Sequence, residues 1–363
     1  MAGLLGERLR QARVMAGMSQ QELANKAGHV SKQAISKYEQ GKDVPSSGVL
    51  LRLCKALNAR PAFLYRAAGA QIGPMAFRKS AGLTGKSLRA LEAYARDAVE
   101  RQVEIEQIVG GEQAGRFVEP KNVDWVVGSA EDAERVAQEL RGAWELGTDP
   151  MANVTALLEE HNVRVLAIDR DGRFWGVSRW VRDSIPVIVV SRQQPGDRQR
   201  FTLAHELGHL LLRPQEGMSA ERGASRFAGA FLLPARTVRQ ELGARRHDLS
   251  WAELYALKQK FGVSMACWLK RAEDLGIVSA SRARALWRQL RARGWHLQEP
   301  GAEVPKEEPG MFEQLVRRAL AEGLISESRA AELAGVSTLE LWHKLGGGNL
   351  GWHESRLRHK RMD

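Results

Sequence analysis

The chain has 363 residues, a formal charge of +11, 44% hydrophobic residues and 27% charged residues. This composition excludes a disordered or fibrous chain and allows two or three domains with sizeable cores. No run of 18 apolar residues occurs, and Glu7, Arg8 and Arg10 interrupt the first segment where a secretion signal needs apolar residues. The expectation is therefore a cytoplasmic protein with no membrane contact. The two cysteines, Cys54 and Cys267, exclude a disulfide scaffold and a cysteine-based zinc site.

The charge is uneven. Residues 1–66 carry eleven Lys/Arg and four acids, a net +7, whereas the body from 67 to 352 is close to neutral. A compact basic segment of this kind suits a polyanion partner. Residues 4–66 predict five short helices. Leu5, Leu9, Ala12 and Ala16 recur at helical spacing, and Gly17 ends the first helix. Ser19 and Glu22 form a capping box for the second, and Gly28 breaks it. Ser31 opens a third helix with Ala34, Ile35 and Tyr38 inward, leaving Lys32, Gln33, Ser36 and Lys37 outward.

Two short helices joined at a glycine, the second with a polar start, form a helix-turn-helix layout. In that layout Ser31, Lys32, Gln33, Ser36 and Lys37 face double-stranded DNA. Gln33 is suited to adenine and Lys32 to guanine, while Gln20 is placed to touch phosphate. The string SQQELANKAGHVSKQAISKYEQGKDVPSSGVLLRLCKALN (19–58) resembles the XRE-type helix-turn-helix of phage repressors. The resemblance covers about 60 residues in order, long enough to be specific.

Residues 67–130 read as a Gly/Ala/Ser-rich linker followed by an amphipathic helix over 87–110, with Leu88, Leu91, Ala95, Val99, Val103 and Ile108 on one side. That helix suits a homodimer contact, packing on the next domain, or a plain spacer. Two helices follow, over 131–147 and 153–161. Three strand-like runs come next, at 163–169, 173–178 and 186–191. Asp171-Gly172 signals a hairpin between the first two runs, and Pro186 suits a strand start or an edge.

The chemical signal lies in RQRFTLAHELGHLLLRP (198–214). His205 and His209, four apart on an apolar helix, lie on one face and converge on one ion, with Glu206 beside them. This is the HExxH pattern of two imidazole ligands and a carboxylate general base. Gly208 leaves room for close packing or substrate approach. A catalytic zinc needs a third protein ligand, for which Glu216 in a loop and Glu221 in the following helix are the downstream acids.

Residues 198–234 resemble the ImmA/IrrE type of metallopeptidase through Phe201 to His209 and through Glu221, Ala224, Phe227, Ala228, Leu232 and Pro234. The resemblance implies one zinc per chain held by His205, His209 and Glu221, with Glu206 as catalytic base. It also implies a regulatory protein, such as a repressor, as substrate. Ser225 departs from the Asn or Asp usual there, which alters support of a ligand. The order of parts, with Phe77-Arg78-Lys79 in the connector and LGTDP at 146–150, resembles bacterial and phage regulators that fuse both modules. In the proposed chemistry Glu206 takes a proton from water and passes it to the leaving amine, and the 186–191 strand offers an edge for the substrate. Arg200, Tyr255 and His247 are candidates by type for oxyanion stabilisation.

Residues 250–275 predict a helical cap. Residues 280–294, with Arg282, Arg284, Arg288, Arg291 and Arg293, read as a solvated basic face, with phosphate contact as the alternative. Residues 299–310 read as a Pro/Glu linker, residues 311–345 as three helices forming an interaction module, and 351–363 as a basic tail. The whole predicts an α+β, mostly helical chain. Its parts are an N-terminal five-helix DNA-binding domain (1–66), a linker and amphipathic helix (67–130), a zincin-like peptidase domain with a small antiparallel sheet (131–275), and a helical C-terminal region (276–363). The function expected is a DNA-binding transcriptional regulator with zinc endopeptidase activity. The other class is a repressor or antitoxin-like protein whose peptidase fold binds or senses a partner without cleaving it. A third is a first domain that only docks a repressor.

Overall fold

The computed structural model describes residues 2–66, 85–111, 115–169, 174–181 and 184–344. Most of the 67–86 linker with Phe77-Arg78-Lys79, the Asp171-Gly172 turn and the basic tail lie outside these residues. Five helices open the chain: α1 (Ala2–Met15), α2 (Gln20–Ala27), α3 (Lys32–Glu39), α4 (Ser47–Leu57) and α5 (Pro61–Tyr65), followed by the long α6 (Gly85–Gly110). Next come β1 (Val126–Val127), α7 (Ala130–Ala143), α8 (Val154–Glu160), β2 (Arg164–Ile168), β3 (Gly176–Val181) and β4 (Ile185–Ser191). After them lie α9 (Gly196–Leu211), β5 (Arg213–Pro214), α10 (Ala220–Leu232), α11 (Ala235–Leu242), α12 (Trp251–Phe261), α13 (Met265–Asp274) and α14 (Ala280–Ala292). The last are α15 (Met311–Ala321), α16 (Glu327–Ala334) and α17 (Thr338–Lys344). No helix among the described residues is long and apolar enough to cross a membrane.

Two compact units result. The first contains α1–α6 and α15–α17, and the second contains residues 117–309. The stretch after 275 is thus divided: α14 and the segment to Pro309 belong with the second unit, and α15–α17 with the first.

In the first unit, Leu9, Leu23, Ile35, Leu53 and Leu64 close one core at the junction of α1–α5. Gly6 makes the approach of α1 to α3 feasible, since a Cβ there would stand 2.4 Å from the Tyr38 carbonyl oxygen. The α6 helix is a spine with partners on both sides. Arg8 and Arg66 pair with Glu100 and Asp97, tying α1 and the end of α5 to it. Arg101 donates to the Leu333 carbonyl at 2.8 Å, and Arg329 pairs with Glu104. Ile105 joins Val316, Ala319, Leu320, Ala330, Leu333 and Leu341 in a second core. The apolar side of α6 is therefore covered from within its own unit.

In the second unit, the three-stranded sheet has the order β2-β4-β3. The pairing corrects the antiparallel expectation: β2 runs parallel to β4, and only β3 is antiparallel to it. The first two runs form no hairpin. The reason lies in IPVIVVS, which is buried at every position and so takes the centre, where both faces are covered. Pro186 sits near the strand start, opposite Trp180, in a central strand rather than an edge. Short β1 and β5 pair in parallel elsewhere.

The Pro/Glu segment 299–309 is not a free linker. Glu307 is buried and accepts from the Val154 and Thr155 amides at the start of α8, at 3.1 and 2.7 Å, and from Arg200 Nε at 2.6 Å. Gln199 and Glu307 exchange two further hydrogen bonds through the Glu307 backbone. Glu299 accepts from Lys258 and from the Met265 and Ala266 amides at the start of α13. The segment straps the second unit by supplying carboxylates to helix N-termini, where orphan amides favour them.

Truncating Glu307 leaves a buried guanidinium and two amides without their acceptor. Glu307→Ala is expected to cost about 3–5 kcal/mol in urea denaturation, whereas exposed Glu303→Ala should cost less than about 0.5 kcal/mol. Equal, small losses for the two variants would show that the segment is dispensable.

Candidate metal centre and nucleic-acid interface

The α9 helix forms because its apolar residues recur at helical spacing: Leu203, Ala204 and Leu207 are fully buried. That burial leaves His205 and His209 on the flank facing α10. Ser219 caps α10 by accepting from the Arg222 amide, and Glu221 lies in its first turn. The two helices cross at Gly208, where a Cβ would stand 3.1 Å from both Ala224 Cα and Phe227 Cδ1. Gly208 therefore serves close packing, the first of the two roles its position allowed.

The crossing brings three donors together. His205 Nε2 and His209 Nε2 are 3.1 Å apart, and Glu221 oxygens lie 3.3 Å from the first and 3.4 Å from the second. For ligand bonds near 2.0–2.1 Å, adjacent donors around a tetrahedral ion sit about 3.3 Å apart. The imidazole pair has about that spacing, and one Glu221 oxygen stands at it from each imidazole, Oε2 from His205 and Oε1 from His209. The histidine side chains are mostly covered, at 17% and 15% exposure, while Glu221 is 77% exposed. The site is thus walled on its imidazole side and open on its carboxylate side. Burial, with His209 adding to it, pushes the His205 imidazole below its ordinary value against the opposing pull of Glu221. This favours the neutral form that ligates metals. Glu216, the other downstream acid, is exposed in the loop and outside the cluster.

Glu206 is 8% exposed. Burial pushes its carboxyl up to about 7; Ser178 pulls it down and the Glu221 charge pushes it up. Ser178 Oγ donates to Glu206 Oε2 at 2.6 Å. The β3 strand reaches this position because Gly176 has no side chain: a Cβ there would lie 2.5 Å from Thr202 and 3.2 Å from Glu206 Cγ. Trp180 Nε1 donates to the Leu210 carbonyl at 2.8 Å and pins the same strand to α9. Sequence reasoning missed Ser178 and Gly176. The available signal was a glycine inside the 173–178 strand run, which marks close backbone approach.

Ser225, one turn after Glu221, places its hydroxyl 3.4 Å from His205 Nδ1. The oxyanion candidates are not brought to the site. Arg200 is spent on Glu307 and on the Met151, Ala152 and Phe261 carbonyls. Tyr255 accepts from the Ala302 amide, and His247 is exposed on the loop after α11. The chemistry of Arg200 is structural because its guanidinium closes over Gly262, where a Cβ would be 2.4 Å away.

A buried ionic cluster fixes α10. Glu134 of α7 meets Arg271 of α13 in a two-bond contact at 2.7 and 3.0 Å, and Arg226 of α10 at 2.5 Å. Arg226 also holds Asp274.

In the other unit, Ser19 and Ser31 cap α2 and α3 as their positions suggest. Lys32, Gln33 and Lys37 are exposed, and Ser36 accepts from Gln40. Gln20 is half-buried and donates to Glu39 at 2.8 Å, a carboxylate that Arg13 also holds at the end of α3.

The matches to known families follow the same division. Residues 9–64 match the helix-turn-helix family model, and residues 158–273 match a peptidase-family model described as the IrrE N-terminal-like domain. No curated protein matches the chain. One chain thus carries both matches, in the order XRE-type helix-turn-helix then IrrE/ImmA-like peptidase domain.

Burial raises the Glu134 carboxyl, but Arg271 and Arg226 outweigh it and hold the group below its ordinary value. A depressed carboxylate stabilises the fold above its unfolded pKa and loses that contribution as pH falls. Glu134→Gln should therefore be less stable than the wild type at pH 7. The gap should close as the medium is acidified below the usual carboxylate range, as read by urea denaturation at a series of pH values.

Proposed function

We propose that the protein is a DNA-binding transcriptional regulator with a zinc-dependent endopeptidase, acting on a repressor or other regulatory protein. The observation that carries this reading is the cluster of His205, His209 and Glu221 with Glu206 buried beside it. Two imidazoles and one carboxylate are the donor set of a catalytic zinc with a coordination position left for chemistry. When bound, the ion supplies Lewis acidity at the scissile carbonyl and lowers the pKa of a water.

Glu206 takes the proton of the attacking water and returns it to the leaving nitrogen, a task matched to a carboxyl kept out of solvent. Ser178 holds that carboxylate by its Oε2, leaving Oε1 for the proton. Ser225 orients His205. An extended substrate aligns along β3, an edge of the sheet among the described strands, rather than along the central β4. The helix-turn-helix presents Ser31, Lys32, Gln33, Ser36 and Lys37 to the operator. This brings the protein to regulatory DNA, which supports a regulatory protein as substrate.

The test is incubation of the zinc-loaded protein with a whole-cell protein mixture, read as new N-termini by mass spectrometry. Wild type should bind one zinc and generate new termini. Glu206→Gln should keep the zinc and generate none, and His205→Ala should lose the zinc. Equal cutting by the Gln variant ends the mechanism. Stoichiometric zinc with no cutting by the wild type transfers support to a protein that senses a partner without cleaving it.

Ser225→Ala removes a hydroxyl from the imidazole nitrogen that faces away from the ion. Zinc affinity, measured by competition with a chromogenic chelator, should fall about 10-fold.

A further inference from the structure

The second unit carries a charged face that the peptidase reading does not use. Helix α14, ASRARALWRQLRA, has four arginines and no acid. Ala283, Leu286 and Leu290 are fully buried and fix its rotation. Arg284, Arg288 and Arg291 then fall at i, i+4 and i+7 on the opposite side, all exposed. They span about 10 Å of helix axis, close to the rise of three nucleotides along one DNA strand.

Internal electrostatics does not account for this row. Among the described residues none of the three meets a carboxylate; Arg284 only touches the Ala280 carbonyl of its own helix. The neighbouring acids are committed elsewhere. Asp248 takes Arg282, and Glu273 accepts from Trp287 and Lys270. Asp274 takes Arg226 and Lys270. The helix dipole favours Arg291 in the last turn, but opposes Arg284 near the first. Beyond the helix end, Arg293 sits over Trp251 and Trp295, at 5.6 and 4.7 Å from the ring centroids. Elsewhere in the unit, arginines such as Arg200, Arg226, Arg246 and Arg271 are held in ion pairs.

We propose that the Arg284–Arg288–Arg291 face of α14 is a second, sequence-independent contact to DNA phosphates, supplied by the peptidase-bearing unit. The proposal rests on the reading of the helix-turn-helix as a DNA binder. Guanidinium groups in a row without carboxylate partners complement a phosphate backbone, which they bind bidentately. The helix-turn-helix reads bases, and this face adds charge neutralisation that holds the catalytic unit on the same polyanion.

Each phosphate neutralised contributes about 0.9 to the slope of log affinity against log salt. The full-length protein is titrated against a mixed-sequence duplex between about 50 and 200 mM salt. The triple variant Arg284→Gln/Arg288→Gln/Arg291→Gln should lower the slope by about 2–3 and weaken binding at least 10-fold at low salt. The corresponding triple Lys variant, which keeps the charge, should retain the slope. Lys32→Ala/Lys37→Ala should lower affinity independently, with the α14 effect still present in that background. A wild-type slope in the Gln variant overturns the proposal and leaves the helix-turn-helix reading standing. If that variant also loses retention on immobilised polyglutamate, the face belongs to an acidic protein partner instead. Absence of any salt-dependent binding by the wild type overturns the helix-turn-helix reading, and this one with it.

Discussion

The candidate centre depends on one close approach, that of α10 to α9 at Gly208. Two histidines four residues apart supply only two donors, and a third must come from another element at about the same distance. A helix delivers it only if its axis comes in close. The absent side chain at 208 permits that: even a methyl group would press on the Ala224 backbone and the Phe227 ring. Phe227 and Phe231, stacked at 5.6 Å, fill the space beneath the crossing. Glu134 with Arg226 and Arg271 then sets the position of α10. A buried charge cluster of this kind is weak evidence of net stability, because desolvation offsets much of the attraction. Its geometry is demanding, however, and that is what a ligand-bearing helix needs.

A second constraint concerns Glu206. A carboxylate taken out of water is expensive unless something bonds to it. Ser178 supplies one hydrogen bond, and the glycine two residues earlier lets its strand come near enough to do so. The sheet is therefore more than a scaffold behind the helix. Its β3 strand restrains the acid through Ser178 and is pinned to α9 through Trp180.

What could be read in advance follows the range of the interaction. Caps at Ser19 and Ser31, the five short helices and the two-histidine spacing depend on residues within one helical turn, and all are legible in the chain. Glu221 was legible only as one of two downstream acids until resemblance singled it out. Strand order was not legible. The apolar run at 186–191 reads as a strand whose proline suits either its start or an edge; burial of every side chain sends it to the centre, with Pro186 near its start. The 299–309 segment was the larger misreading. Its Pro and Glu content is that of a solvated linker, yet Glu299 and Glu307 are buried acceptors for amides more than thirty residues away in sequence. The bond from Gln20 to Glu39 is of the same long-range kind, since Arg13 organises that carboxylate from another helix.

The same long-range pairing changes what the charge of +11 means. Arginines at 8, 66, 141, 164, 200 and 271 are buried. Each of them bonds a carboxylate or a backbone carbonyl. Arg141, for example, donates to Phe231, Leu146 and Gly147, and burial pulls it down only to about 10, so it stays protonated. Such groups contribute little to the field a distant polyanion meets, because their charge is neutralised locally or spread over carbonyl dipoles. The field is set by arginines and lysines that the fold leaves unpaired. In the first unit these include Lys32 and Lys37 on α3, and in the second the row on α14. Net charge counted along the chain points to the first 66 residues alone. Charge counted by what remains uncompensated points to both units, and the α14 row is part of the second unit's share.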